Sequence, residues 1–389
     1  MQKKILFRLA LCSAGALMFS NCKKDDTIVQ VAPSANDIVQ KYLSIDLDAP
    51  FNYSNPAYPV HYDANVLAND NAPSINRVTD RGATLGRVLF FDKNLSRNNK
   101  TACASCHQQA EAYADQKVFS EGFEGGLTTK HAMRLANANF YTGDRMFWDK
   151  RAVDLEAQTT QPIQNAVEMG FDAASGGIEA LLQKLKGLEY YPVLFEYAFG
   201  SPEITEERMQ RALAQYVRSM VSTHSKFDTG FAQTFNPGQP GGGAGAPFAN
   251  FSQQENMGKN LFLAPPNMGG AGCAGCHQPP TFALAANSLN NGLDANEPMV
   301  FKAPSLKNIG IAGRYMHDGR FATLEQVVEH YNSGIQPGPN LDNRLRLPNG
   351  QPLRLNLPAD QKAALVAFLK TLTDDALLTD AKFSDPFKP

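Results

Sequence analysis

Two five-residue stretches constrain this chain more than any other feature: CASCH at residues 103–107 and CAGCH at residues 273–277. Both have the form C-x-x-C-H, the attachment signature of a c-type haem. The two thiols reach the two vinyl groups of one porphyrin, and the adjacent histidine supplies an axial nitrogen to the iron. The sequence therefore predicts two covalently bound haems. Their cofactor-binding residues are Cys103, Cys106, His107, Cys273, Cys276 and His277.

Two other chemistries use similar cysteine spacings. A zinc site can be built from two C-x-x-C pairs, and a single C-x-x-C can form a thioredoxin-like redox motif. Zinc pairs usually lie closer together in sequence and do not need a histidine after each pair. Two complete motifs, in a chain whose first 22 residues resemble an export signal, favour haem.

The composition sets limits on size and partners. The chain has 389 residues, an apolar fraction of 43% and a formal net charge of −2. This length is enough for two domains of ordinary size. No basic stripe is present, so we expect no nucleic-acid partner.

The first 22 residues resemble a bacterial lipoprotein signal. A basic start precedes a short apolar core at residues 9–19, which is too short to span a bilayer as a mature helix, and Cys22 follows it closely. Lipidation of Cys22 would hold the mature protein at a membrane surface without a transmembrane helix. The alternative is an ordinary cleaved signal peptide. Both readings predict export to the periplasm or cell envelope.

The rest of the chain divides by composition. We predict a tether and N-terminal extension at 23–76, a first haem domain at 77–231, a Gly/Pro-rich linker at 232–247 and a second haem domain at 248–389. Strand signals are sparse, so the predicted fold is mainly α, with two cytochrome c-like haem domains. Helical spacing of apolar residues, with Thr205 as a helix N-cap, is seen at 178–198, 203–222, 255–262, 324–331 and 359–372.

Several further motifs accompany the C-x-x-C-H pairs in a fixed order. They are Leu85–Asp92, Phe147–Ala152, Glu168–Gly170, Ala303–Ile309 and Tyr315–Gly319. Over roughly residues 80–375, this pattern resembles the bacterial dihaem cytochrome c peroxidase family, which also contains the MauG-type enzymes. The resemblance implies an N-terminal haem that reacts with peroxide and a C-terminal haem that relays electrons. It also implies a tendency to form homodimers.

The resemblance assigns roles to individual residues. His107 and His277 are the expected axial ligands. Glu168 matches the acid–base group that moves the peroxide proton, and Gln158 matches the polar residue beside it. Trp148, the single tryptophan, matches the residue between the two haems. Taken alone, Glu168 reads as a solvated or capping glutamate and Trp148 as a core aromatic.

One departure from the family concerns the first haem. In typical members a mobile histidine caps this haem, and the matching position here is Phe123, which cannot ligate iron. We therefore expect a five-coordinate haem at rest. The alternative is that His131, the nearest histidine, swings in as a ligand.

A second departure concerns the other haem. Many family members supply a methionine as its distal ligand, and the matching position here is Tyr331, as in MauG-type enzymes. A phenolate stabilises higher oxidation states of iron better than a thioether does. The predicted metal ligands are therefore His107, His277 and Tyr331, with Met316 or Met299 as the alternative to Tyr331.

Family members often hold calcium between the haems through an asparagine side chain and backbone carbonyls. The matching positions here are His131, Ala312 and Arg314. The carbonyl ligands survive these substitutions but the asparagine ligand does not, which weakens the case for calcium.

The favoured function is reduction of hydrogen peroxide to water with electrons from a small redox protein, a cytochrome c or a cupredoxin. One alternative is a MauG-like oxidase that modifies side chains of a partner protein through a high-valent state of both haems. A pure electron-transfer protein is the other, but it would leave Glu168 and Gln158 without a task. Membrane contact is expected through the lipid anchor alone.

Overall fold

The computed structural model of the chain describes residues 32–143, 145–283, 287–311 and 313–389. Within these ranges the protein is mainly helical and has no extended strands, only isolated bridges that close loops. This confirms the predicted fold class. The α-helices are α1 (Ala35–Val39), α2 (Ala64–Leu67), α3 (Asp80–Phe91), α4 (Cys103–Cys106), α5 (Leu155–Thr159), α6 (Gly177–Lys186), α7 (Tyr190–Phe199), α8 (Glu206–Ser219), α9 (Lys226–Thr234), α10 (Gln253–Leu263), α11 (Leu324–Glu329), α12 (Ala359–Lys370) and α13 (Asp375–Thr379).

Helices α3 and α8 form the centre of the first half. Thr205 accepts a hydrogen bond from the backbone N–H of Arg208, which confirms it as the N-cap of α8. At Gly86 of α3, a Cβ atom would overlap the backbone oxygen of Ala212 in α8. The two helices therefore cross at a distance that only glycine permits at this position.

Helices α10 and α12 form the centre of the second half in the same way. The N-terminus of α10 is closed by a capping box between Ser252 and Glu255. At Gly258 of α10, a Cβ atom would overlap the backbone oxygen of Ala364 in α12. In each half, a helix that precedes the C-x-x-C-H motif thus crosses a later helix at a glycine.

Two predicted helices differ from those observed. The stretch at 178–198 forms two helices, α6 and α7, because the chain turns at Gly187 and Leu188. The stretch at 324–331 is α-helical only to Glu329. It continues as a single π-helical turn, His330–Gly334, in which the backbone is more loosely wound.

The N-terminal extension and the end of the chain both pack on the first half. Val39, Leu43 and Tyr53 from the extension are buried in its core. The sequence assigns residues 248–389 to the second domain, yet Leu377 and Phe383 from that range lie in the same first core. The domain boundaries themselves stay a prediction.

No helix in the described ranges is both long enough and apolar enough to cross a bilayer. The predicted signal at residues 1–22, including Cys22, lies outside the described residues. The same is true of Ala312, one of the positions considered for calcium.

Candidate functional site

The first C-x-x-C-H motif is presented by the short helix α4. Its two cysteines are one helical turn apart, and Cys103 packs against the first core. His107 follows the helix, and its Nδ1 lies 2.9 Å from the carbonyl oxygen of Tyr113. Because a carbonyl can only accept, Nδ1 carries the proton and Nε2 keeps the lone pair that an iron would need. Burial lowers the pKa of His107, which favours this neutral form.

The second motif follows the same scheme with a different local backbone. Cys273 begins a 3-10 turn and packs against the second core. His277 has its Nδ1 3.4 Å from the carbonyl oxygen of Phe282, a longer contact than in the first motif. Burial lowers the pKa of His277 to about 4. Both histidines therefore suit an axial ligand.

The cysteines are free, and burial raises the pKa of each thiol, to about 12 for Cys103 and Cys273 and about 11 for Cys106 and Cys276. In the described residues, no three or more His, Cys, Asp or Glu side chains cluster as a metal ion would require. The two cysteine pairs thus lie apart, which does not fit a zinc site made from both. Partly buried thiol pairs, each next to a neutral histidine, fit two separate haems.

A cavity surrounds the second motif and is lined mainly by apolar side chains. Cys273, Cys276 and His277 lie on one side, together with leucine, valine and phenylalanine side chains from α10, α11 and α12. Tyr331 lines the same cavity. The combination of thiols, an imidazole and apolar walls fits a porphyrin.

Tyr331 lies in the π-helical turn that follows α11. Burial raises the pKa of its phenol to about 12. Asn291 Nδ2 lies 3.5 Å from both the Tyr331 hydroxyl and the Met316 sulfur. Tyr331 and Met316 therefore share one region of the cavity, whereas Met299 is 40% exposed and does not line it. Since π-turns are frequent at functional sites, the local backbone agrees with a special role for Tyr331.

Glu168 lies near the first cysteine pair. Its charge contributes to the raised pKa of both Cys103 and Cys106. Burial raises the pKa of Glu168 itself, and the charge of Arg151 partly opposes this effect. A carboxyl group with a raised pKa beside the first cysteine pair is a candidate acid–base group.

Phe123 is buried and fixed to the turn that carries Glu168. Its backbone N–H donates to the Glu168 carbonyl at 3.1 Å, and its own carbonyl accepts from Asn98 Nδ2. Its ring lies under the Arg97 guanidinium, and a Cβ at Gly170 would overlap it. At the position that matches the family's capping histidine, this chain therefore has an apolar ring that several contacts fix in place.

Gln158 lies on α5, whose N-terminus is capped by Asp154. Trp148 precedes that helix in a loop closed by a bridge between Met146 and Ala152. Trp148 lines the second cavity, and Glu168 follows α5 along the chain. The loop and α5 therefore connect these two regions in sequence.

Trp148 joins the two halves of the molecule. Its indole N–H donates to the His131 carbonyl at 2.7 Å, and its own carbonyl accepts from the backbone of Lys302 at 2.8 Å. Its ring centre lies 6.5 Å from that of His317. Trp148 therefore contacts both halves of the chain, and its position between two haems stays a prediction from the family resemblance.

His131 lines the cavity of the second motif. It is 3% exposed, and its Nδ1 lies 3.1 Å from the Lys117 carbonyl oxygen. Its backbone N–H donates to the His317 carbonyl at 2.9 Å. An imidazole held in this place gives no support to the alternative in which His131 ligates the first haem.

Several polar residues of the second cavity were not assigned a role from sequence, among them Arg134, Lys302 and His317. Lys302 is buried, with its Nζ 3.2 Å from the Met146 sulfur and over the Tyr141 ring, and burial lowers its pKa to about 7. His317 belongs to the Tyr315–Gly319 motif of the family resemblance, so that motif was a usable signal. A lone arginine or lysine in sequence carries no comparable signal, because burial is decided by packing.

Comparisons with known proteins agree with this geometry. A family model described as "Di-haem cytochrome c peroxidase" matches residues 80–234. The methylamine utilization protein MauG of Methylophilus methylotrophus is 30% identical over 326 residues, covering 80% of this chain and 88% of the relative. The cytochrome c551 peroxidase of Nitrosomonas europaea is 30% identical over 330 residues, covering 80% and 86%.

Solved structures give the same architecture. A MauG-like protein associated with microbial copper homeostasis superposes with a TM-score of 0.66 at 28% identity, over 86% of this chain and 99% of that one. The diheme peroxidase BthA from Burkholderia thailandensis superposes with a TM-score of 0.58 at 21% identity, over 81% and 92%. At that identity the second comparison speaks for the fold alone.

Proposed function

The chain belongs to the di-haem cytochrome c peroxidase family, and on that premise we propose that it reduces hydrogen peroxide to water with electrons from a small redox protein. The family is one of oxidoreductases with two haems. The observation that carries the proposal is the partly buried carboxyl of Glu168 beside the first cysteine pair. Peroxide reduction needs such a group, because a proton must move from one peroxide oxygen to the other.

Each haem would be held by one motif. Cys103 and Cys106 would form thioethers with the first porphyrin above His107, and the second motif would do the same above His277. When bound, the first haem supplies an iron that binds peroxide and passes electrons to it. The buried thiols, the neutral imidazoles and the apolar walls of the second cavity support this assignment.

Glu168 would act first as a base and then as an acid. Its carboxylate takes the proton from the near oxygen of peroxide and returns it to the far oxygen, which leaves as water. A pKa raised by burial suits this exchange, because the group must both accept and release the proton at the same pH. Gln158 would orient peroxide by hydrogen bonding, and Phe123 would keep the distal side free of a protein ligand.

Electrons would reach the first haem from the second by way of Trp148. The contacts of Trp148 with His131 and Lys302, one from each half, support a mediating position. Tyr331 would close the distal side of the second haem. The domain that carries His277 would then receive electrons from a cytochrome c or a cupredoxin.

The test is steady-state oxidation of reduced cytochrome c or cupredoxin by peroxide, catalysed by the haem-loaded protein without prior reduction. We expect turnover at once, because Phe123 cannot cap the first iron. Low-spin bis-histidine signals from that haem in the oxidised protein would contradict the resting state proposed here. Absence of peroxide-dependent turnover with any small donor would contradict the peroxidase function.

A MauG-like oxidase that modifies side chains of a partner protein is the second candidate. Tyr331 favours it, because a tyrosine at this place would suit storage of oxidising equivalents at the second haem. The two candidates differ in one measurement: the peroxidase turns over rapidly with reduced cytochrome c, whereas the oxidase reacts slowly with it and stays oxidised after one equivalent of peroxide.

We also propose that the protein is exported and anchored by lipid at Cys22. The basic start and short apolar core before this cysteine support the proposal. Replacement of Cys22 by serine is expected to abolish labelling with radioactive palmitate and to release the protein from the membrane fraction. Labelling that survives the substitution would refute the anchor.

A further inference from the structure

We propose that three basic side chains, His131, Arg134 and His317, form a carboxylate-binding site that holds a propionate of the second haem. All three line the cavity of the second motif. Each has a buried side-chain nitrogen without a hydrogen-bond partner in the described structure: His131 Nε2, Arg134 Nε, and both ring nitrogens of His317. Buried polar groups are normally paired, so this concentration of unpaired nitrogens in one cavity points to a missing hydrogen-bonding partner.

Arg134 is the strongest element of this site. Its Nη2 donates to the Ile311 carbonyl at 3.2 Å, and its guanidinium lies 5.3 Å from the centre of the Tyr315 ring. In the described residues no ion pair within contact distance joins it to a carboxylate, although the charge of Glu111 acts on it from farther away. A buried guanidinium without an anion is costly, and a carboxylate is the partner whose geometry matches its fork of donors.

His317 and His131 add unpaired nitrogens beside it. The imidazole of His317 is stacked on Phe301, with ring centres 3.9 Å apart, and both of its nitrogens are unpaired, so one of them can donate an N–H to a carboxylate. His131 uses Nδ1 to donate to the Lys117 carbonyl, and its Nε2 has no partner in the described structure. A carboxylate has two oxygens and accepts several such bonds at once.

A haem brings such carboxylates into this cavity. The porphyrin edge opposite its vinyl groups carries two propionates, so a haem bonded to Cys273 and Cys276 directs them away from those cysteines. A free anion such as acetate or phosphate has the same chemistry but no attachment here. The cofactor's own carboxylate is favoured because it arrives with the haem that fills the cavity.

The site is assembled from both halves of the chain. His131 and Arg134 come from the first half, and each bonds to a backbone carbonyl of the second half, at His317 and Ile311. The His131 carbonyl in turn accepts from Trp148. A bound propionate would thus connect the second haem to the same backbone segment that holds Trp148. Fixed positive charge in this place also disfavours a calcium ion there.

The test is the reduction potential of each haem in the loaded protein. Arg134→Gln removes a positive charge near the propionate, so the second haem should become harder to reduce, with a roughly tenfold change in its oxidised-to-reduced ratio, about 59 mV for one electron. Arg134→Lys keeps the charge and should retain most of the potential. Arg77→Gln is the matched control, because it removes the same charge from an exposed pair with Asp70.

His317→Leu is measured alongside, because it removes the ring N–H that would donate to the propionate; a smaller shift in the same direction is expected, and the test then does not depend on the folding of one variant. A shift in Arg134→Gln and His317→Leu no larger than that of Arg77→Gln would overturn the proposal. A second arm titrates the wild type with acetate. A potential that follows acetate saturably in the wild type but not in Arg134→Gln would mean a free anion and would overturn the propionate assignment.

Discussion

The two halves of the molecule hold their C-x-x-C-H motifs in the same way but place different side chains near them. In each half a helix crosses another at a glycine, Gly86 or Gly258, and the motif histidine directs Nδ1 at a backbone carbonyl. The first motif has Glu168 nearby, whereas the second cavity contains Tyr331. The arrangement of the motif is therefore repeated, and on the proposed function Glu168 would serve acid–base chemistry in the first half while Tyr331 would serve charge storage in the second.

The largest expected effect is at Glu168. Glu168→Gln keeps the size of the side chain but removes the proton carrier, so kcat/KM for peroxide should fall by about 10²–10⁴-fold. The measurement is stopped-flow reaction of the oxidised protein with peroxide. Glu124→Gln is the control, since Glu124 lies in the neighbouring loop but pairs with Arg97 at the surface. If Glu168→Gln and Glu124→Gln react with peroxide at the same rate, Glu168 has no special role in the first half, and this difference between the halves disappears.

The next effect is at Tyr331 and is confined to the second haem. Tyr331→Phe removes the phenol, so this haem should become easier to reduce, by about tenfold or more in its oxidised-to-reduced ratio, with the first haem unchanged. Optical and EPR spectra of the oxidised protein check this. Met316→Leu is the companion variant. A methionine–iron band that is present in the wild type, survives Tyr331→Phe and disappears in Met316→Leu would assign the ligand to Met316 instead.

A third prediction tests the feature that the halves share. Gly86→Ala and Gly258→Ala each place a methyl group against a backbone oxygen of the crossing helix, so each should destabilise the fold by about 1–3 kcal/mol. Thermal or denaturant unfolding of the haem-loaded protein measures this. Gly245→Ala is the control because no atom lies near its added Cβ. A large loss in one variant and none in the other would show that the crossings are not equivalent.

The smallest effect concerns Arg151, whose charge lowers the pKa of Glu168 against the effect of burial. Arg151→Gln removes that opposition, so the pKa of Glu168 should rise further. Since the carboxylate form accepts the peroxide proton, the acidic limb of the pH–rate profile should move to higher pH. The rate at pH 7 should change by about twofold at most, because Arg151 is exposed. A shift to lower pH would contradict the assignment of that limb to Glu168.

Much of the fold could be predicted from the sequence because its signals are local. Helical spacing, the Thr205 cap and the C-x-x-C-H motifs each depend on residues a few positions apart. The break between α6 and α7 and the π-turn at Tyr331 were not predicted. Neither the break after Gly187 nor the looser turn after Glu329 changes the spacing of apolar residues enough to be recognised in the sequence.

The sequence by itself determined that two thiol pairs each precede a histidine, which predicts where two haems attach, because that pattern is formed by neighbouring residues. The tertiary structure decided that Glu168 lies by the first cysteine pair, that Tyr331 and Met316 share a cavity, and that the chain end packs on the first core. It also brought together His131, Arg134 and His317, which are far apart in sequence. Burial and proximity across such distances arise from packing, which no local pattern specifies.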